Sequence, residues 1–273
     1  MVNMKLVKVS VLVLWALFTT LFIAKTSYAA SLSFAQADGK IISFKLAKLK
    51  SKLTTHAISL FDPHYAADKN YQAFALHDVL NLGFGKAWQQ GEFADITFMA
   101  TDGYQALGNI EQLKQTGGFI VYADIDHASW QGIGRAKASP GPFYLVWQHK
   151  DQSTQQGFPW PWALAQMSLV KFSDKYTHVY PQQVKTGSKV YQGYELFKQR
   201  CFRCHAMNQQ GGKVGPDLNA PQNILAYRSE AMVKAFIKNP QQFRYTHMPS
   251  HLDLTEQQLN NLIEYLRHQG QSR

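Results

Sequence analysis

Cys201-Phe202-Arg203-Cys204-His205 decides how this chain is read. The 273 residues hold only two cysteines, and both stand here. Two thiols three residues apart with a histidine next in line form the pattern for covalent attachment of a c-type haem. On one helical turn such thiols reach the two vinyl groups of one porphyrin and add to them as thioethers, while the adjacent imidazole is delivered to the iron. Cys201 and Cys204 are therefore expected to anchor one haem c, and His205 to be its proximal ligand. A thioredoxin-like pair needs an enclosing βαβ unit, and a zinc site needs two more ligands at matching spacing.

The flanks fit a haem domain. Residues 190–203 read as an amphipathic helix with Tyr194, Phe197 and Cys201 on one side. Gly211, Gly212, Gly215 and Pro216 read as a loop, in which a carbonyl near Pro216 is placed to accept the Nδ1 proton of His205 and orient its ring. Thr255 reads as the cap of a final helix whose Leu259, Leu262, Ile263 and Leu266 form one apolar face. Between them lies His247-Met248-Pro249. A thioether is a soft, neutral iron ligand that raises the potential, and Met248 offers one; His247 and His251 are local rivals, and an open position is a third possibility. Met207 and Met232 lack that loop context and read as core or surface residues.

Over residues 188–273 the chain resembles a monohaem class I cytochrome c. The resemblance is carried by residues 193–197, Cys201 to His205, Gly215-Pro216-Asp217-Leu218, Met248-Pro249 and Ile263-Glu264-Tyr265-Leu266. It implies an all-α haem domain that carries electrons, with Met248 as distal iron ligand.

The other end of the chain reads as an address. Lys5 and Lys8 precede an apolar run over 9–24, short of the roughly 20 residues of a spanning helix, and Ser27-Tyr28-Ala29 supplies a cleavage site. Residues 1–29 are expected to be a signal peptide and the remainder periplasmic, with membrane contact only if the leader stays uncleaved. The formal charge is +10, of which Lys5, Lys8 and Lys25 belong to the leader. From Ser188 onward eleven basic residues face six acidic ones, which favours a redox partner with an acidic docking surface. Nothing in this balance points to nucleic acid. With 45% hydrophobic and 17% charged residues, disorder and a multispanning membrane protein are excluded.

Residues 30–180 read as a separate α+β domain with a mixed or antiparallel sheet, joined through a polar linker at 181–187. Strands are expected at 41–44, 57–61, 95–101, 118–124, 143–147 and 167–171, and short helices at 75–82 and at 109–115, the latter opening on a cap-like Asn109. Gly83-Phe84-Gly85 lacks the rest of a dinucleotide fingerprint and reads as a helix-terminating loop.

Thr101-Asp102-Gly103-Tyr104, the strand over 119–123, the run 140–147 and Pro159-Trp160-Pro161-Trp162 are similar in order and spacing to the molybdopterin-binding domain of sulfite-oxidase-type proteins. In catalytic members of that family a cysteine thiolate ligates molybdenum. Where it is expected, this chain reads Phe61-Asp62-Pro63-His64-Tyr65, so a molybdenum cofactor is not expected and the domain reads as a docking or ligand-binding module. A two-domain oxidoreductase with a non-covalently held pterin cofactor feeding the haem, and a redox or ligand sensor, are the alternatives. His56, His64 and His77 with Asp62 are candidates for a metal cluster, though their spacing matches no motif. Asp102 and Tyr104 read as a turn or as pocket residues, and Trp130, Trp147, Trp160 and Trp162 as core or pocket lining.

Overall fold

A computed structural model describes residues 30–89, 93–134, 136–154 and 156–271. The expected leader lies outside them. Residues from Ser31 to Val170 build two sheets around one apolar core. In the five-stranded sheet the order is β2 (Ile41–Lys45), β1 (Ser31–Ala35), β9 (Leu164–Val170), β5 (Asp95–Ala100), β6 (Gln105–Asn109). Only β1 and β9 run parallel. The four-stranded sheet is antiparallel throughout, in the order β3 (His56–Asp62), β4 (Ala67–Ala75), β7 (Gly118–Asp124), β8 (Tyr144–Trp147).

The expectation of one sheet is corrected to two, because the sequence reading lacked three strands. Strand β4 opens Ala67-Asp68-Lys69-Asn70, too polar to read as half-buried. Lys69 is nevertheless buried, because its ammonium pairs with Asp124 at 2.6 Å. Strand β6 carries Gly108, whose missing side chain leaves room for Phe98 and Leu113. Strand β1 alternates as it should, with Leu32 and Phe34 facing the core.

Among the described residues the α-helices of this unit are α1 (Leu46–Lys52), α2 (Leu76–Phe84) and α3 (Ile110–Leu113). Helix α1 had no counterpart in the sequence reading. Asn109 caps α3 by accepting the Glu111 amide, and Gly85 ends α2 at φ +64° with its N–H on the Asn81 carbonyl, as their sequences suggest.

The second core gathers residues from the rest of the chain. Helix α4 (Phe172–Lys175) leads into it, followed by α5 (Lys189–Leu196), α6 (Glu230–Lys238) and α7 (Glu256–Gln271). Thr255 and Gln258 form a reciprocal cap at the start of α7, the Thr255 hydroxyl accepting the Gln258 amide and the Gln258 side chain accepting the Thr255 amide. Helices α5 and α7 cross closely at Gly193, where a Cβ would stand 1.9 Å from the Asn261 carbonyl oxygen. A two-residue ladder, Ala206–Met207 with Gln210–Gly211, is a small departure from the expected all-α domain.

The continuous helix expected over 190–203 is also corrected. Helix α5 stops at Leu196, and Phe197–Cys201 forms a π-helical turn in which the Phe202 amide reaches the Phe197 carbonyl at 2.8 Å. Residues five apart on a straight α-helix point about 140° apart. The widened turn lets Phe197 and Phe202 both bury completely in the same core.

Core membership does not follow the polar stretch 181–187. Phe172, Tyr176 and Val179 pack into the second core, with Phe202 5.0 Å from Phe172 and 4.7 Å from Tyr176 between ring centroids. Linker composition marks irregular backbone; it does not mark where a core begins. Among the described residues no helix is long and apolar enough to cross a membrane.

Candidate functional site

The motif follows directly on the π-helical turn, and hydrogen bonds hold its backbone in place. The Cys201 carbonyl accepts the amides of Cys204 (3.1 Å) and His205 (2.9 Å), Phe202 that of Gly212 (2.9 Å), and Cys204 that of Gly215 (2.7 Å). Arg203, between the cysteines, accepts from the first unit: the Gln105 amide at 2.9 Å. Lys213 donates in the other direction, to the Gly103 carbonyl at 3.2 Å. The Gln105 side chain adds a bond to the Gly211 carbonyl at 3.0 Å.

Cys201 and Cys204 are unbridged and partly buried. Burial pushes the Cys201 thiol up to about 12 and the Cys204 thiol up to about 11, with the Arg203 guanidinium opposing the shift at both. Both thiols are therefore weak nucleophiles at neutral pH, unlike the low-pKa thiolates of disulfide-exchange sites.

His205 Nδ1 lies 2.8 Å from the Pro216 carbonyl. Burial lowers its pKa, against the opposing pull of that bond and of Asp217, so the ring is neutral at pH 7. A proton on Nδ1 leaves the Nε2 lone pair for a metal. Gly215 makes room for this ring: a Cβ there would stand 2.5 Å from His205 Cε1. Asp217, next to Pro216, pins the loop by accepting the amides of Asn208, Gln209, Asn219 and Ala220. The fully buried Asn219 joins it to α7 through the Gln269 carbonyl.

Met248 is partly buried and packs on the second core, its carbonyl accepting from Gln241 at 2.8 Å. His247 packs edge-on against Tyr245. The pKa of His251 is lowered, by burial first and then by the Arg200 and Arg203 guanidinium groups, against the opposing pull of Asp253. Met207 is fully buried and Met232 is 43% exposed. Val214, Tyr227, Phe243, Tyr245 and Leu252 are exposed as well, all in the segment between the motif and α7. Unbridged thiols, a neutral oriented imidazole and bare apolar side chains together fit a bulky apolar group bound through iron and thioethers.

In the first unit the histidines do not converge. His56 lies against Phe119, His77 bonds the Leu113 carbonyl beside Trp88, and His64 sits edge-on to Trp162 at 4.9 Å. No group of three or more metal-ligating side chains occurs among the described residues, and His56, His64, His77 and Asp62 are not assembled into one there. Asp62 is buried and accepts from Tyr71, Tyr144 and the His64 amide. With its carboxylate so engaged and no thiol nearby, the segment 61–65 does not fit molybdenum ligation of the thiolate kind. Asp102 forms a turn by accepting the Tyr104 amide, and Tyr104 lies beside Arg203 and Cys204, with burial raising its phenol. Trp147 and Trp160 are core residues, each bonded to a backbone carbonyl, while Trp130 and Trp162 are partly buried.

Gly103, Tyr104 and Gln105 are the residues that sequence reasoning did not connect with the motif. No local pattern signals a contact made across some hundred residues.

None of the curated proteins compared with the chain matches it. Residues 190–270 match the family described as Cytochrome c, so the C-terminal part of this chain is a cytochrome c domain.

Proposed function

We propose that the protein is a periplasmic c-type cytochrome that transfers single electrons through one haem held covalently by Cys201 and Cys204. His205 and Met248 would hold its iron, and the first domain would serve as a docking or ligand-binding module. The observation that carries this reading is the His205 Nδ1 to Pro216 carbonyl bond beside two unbridged thiols three residues apart. When bound, the haem supplies an iron that cycles between ferric and ferrous states.

The chain's own residues set the conditions for that cycle. Pro216 fixes the tautomer and plane of His205. The Met248 thioether, as a soft neutral ligand, would favour the ferrous state. The basic surface of the haem domain steers an acidic partner into contact at a rate that falls as salt rises.

The test is to mature the full chain in an exporting, haem-attaching host and measure metals, haem linkage and potential. One iron per chain, with haem that stays bound in acid acetone, supports the reading. Stoichiometric molybdenum would replace it with the oxidoreductase alternative. Met248→Ala should lower the potential and let cyanide bind the ferric iron. An unchanged spectrum would exclude Met248 as ligand and turn attention to His251→Ala.

A further inference from the structure

A crevice of about 310 Å³ lies between the two cores, beside the haem motif. Its floor is the outer face of the five-stranded sheet, where the register sets Thr97 opposite Ser168 and Met99 opposite both Gln166 and Gln105. Alternation sends the neighbours Phe98 and Met167 inward, so this face is polar because the other is apolar. Tyr176 and Lys175 make one wall, and the loop over 209–213 makes the other.

The chemistry of the lining is one-sided. It contains amides, hydroxyls and two ammonium groups, Lys175 and Lys213, and no carboxylate. Neither lysine forms an ion pair among the described residues. Lys175 rests over the ring of Tyr176, and partial burial makes its charged form less comfortable than in water. Ser168 is buried in the floor, and its hydroxyl oxygen accepts from Gln166 at 3.2 Å, so the hydroxyl retains a proton to donate. The Gln105 amide group and Tyr176 hydroxyl are turned on each other and on Gly211, so they hold the walls in place.

We propose that this crevice binds a small oxyanion, taken by the Lys175 and Lys213 ammonium groups and the Ser168 hydroxyl. The lack of a carboxylate in the lining argues against a cation. A bound anion touches the sheet of the first domain and the loop that follows His205, so it ties the two domains together at the haem.

The test is calorimetric titration of the haem-loaded full chain with sulfate and with inorganic phosphate at constant ionic strength. Saturable one-to-one binding is expected. Lys175→Gln and Lys213→Gln should each weaken it about fivefold, and Ser168→Glu should abolish it by placing a carboxylate in the floor. Lys48→Gln, an exposed lysine on α1 that does not line the crevice, should leave it intact. The absence of saturable binding by either anion overturns the proposal. So does an equal loss in Lys48→Gln, which would mark a net-charge effect. The haem spectrum reports the fold of each variant, and the two lysine variants decide the matter if Ser168→Glu does not fold.

Discussion

The amide of Gln105 donates to the carbonyl of Arg203 at 2.9 Å, so the free edge of the five-stranded sheet ends on one of the two residues between the motif cysteines. An edge strand offers unpaired backbone groups, and here the haem motif takes one of them. The Gln105 side chain continues the contact by accepting from Tyr176 at 3.2 Å and donating to Gly211.

Gln105→Ala removes both side-chain bonds and keeps the backbone one, at an expected cost of about 1 to 2 kcal/mol. All described tryptophans lie at or before Trp162, so their fluorescence reports the first domain while the haem band reports the second. The two signals should melt together in the wild type and move down together in Gln105→Ala. A shift confined to the tryptophan signal would show that the junction does not couple the domains.

Gly215→Ala places a methyl where the His205 ring stands. The ring must turn and lose its bond to Pro216, so the variant should incorporate less haem and show an altered potential. Wild-type haem content and an unchanged potential would mean that the loop gives way instead.

The ion pair of Lys198 with Asp95, at 2.9 Å, crosses the same junction with the Asp95 side chain only 4% exposed. Lys198→Met leaves that carboxylate buried and unpaired, at a cost of about 3 kcal/mol. Adding Asp95→Asn should recover much of the loss. Urea unfolding of both single variants and the double variant measures this, and simple additivity would deny the coupling.

Acid should act through Asp124. Burial works to raise its pKa, but donors from Lys69, His127 and the Asp126 amide outweigh it and hold the group below its ordinary value. A carboxyl lowered in the folded state contributes stability above its unfolded pKa near ~4, and that contribution disappears as pH falls through the folded value. Lys69→Met should therefore unfold more easily at pH 7 by about 3 kcal/mol, with the gap to wild type closing below pH ~4. Stability curves against pH, read by tryptophan fluorescence, check both parts.

The haem motif and the final helix were legible because their signals are local. Two cysteines and a histidine at fixed spacing, and a Thr255 cap before Leu259 and Leu262, need no knowledge of the rest of the chain. Strand β7 was read to its ends, since Gly118 and Asp124 bracket a run of core residues. Strand β4 was hidden because Lys69 is buried by a partner fifty-five residues away. The π-helical turn was hidden for a related reason, since Phe197 is buried against Tyr265 and Phe202 against Phe172 and Tyr176, partners distant in sequence. The junction at Gln105 depends on backbone groups, which every residue possesses and no sequence pattern marks.

The placement of Phe172, Tyr176 and Val179 also bears on how the protein can be divided. Val179 offers its carbonyl to Tyr265 at 2.7 Å and to Gln269 at 3.0 Å, and the two rings flank Phe202 inside the motif. Cutting at 181–187, where composition invites it, would strip the haem domain of one wall and leave those aromatic residues stranded on its neighbour. An excised haem domain that keeps its interior has to begin at or before Phe172.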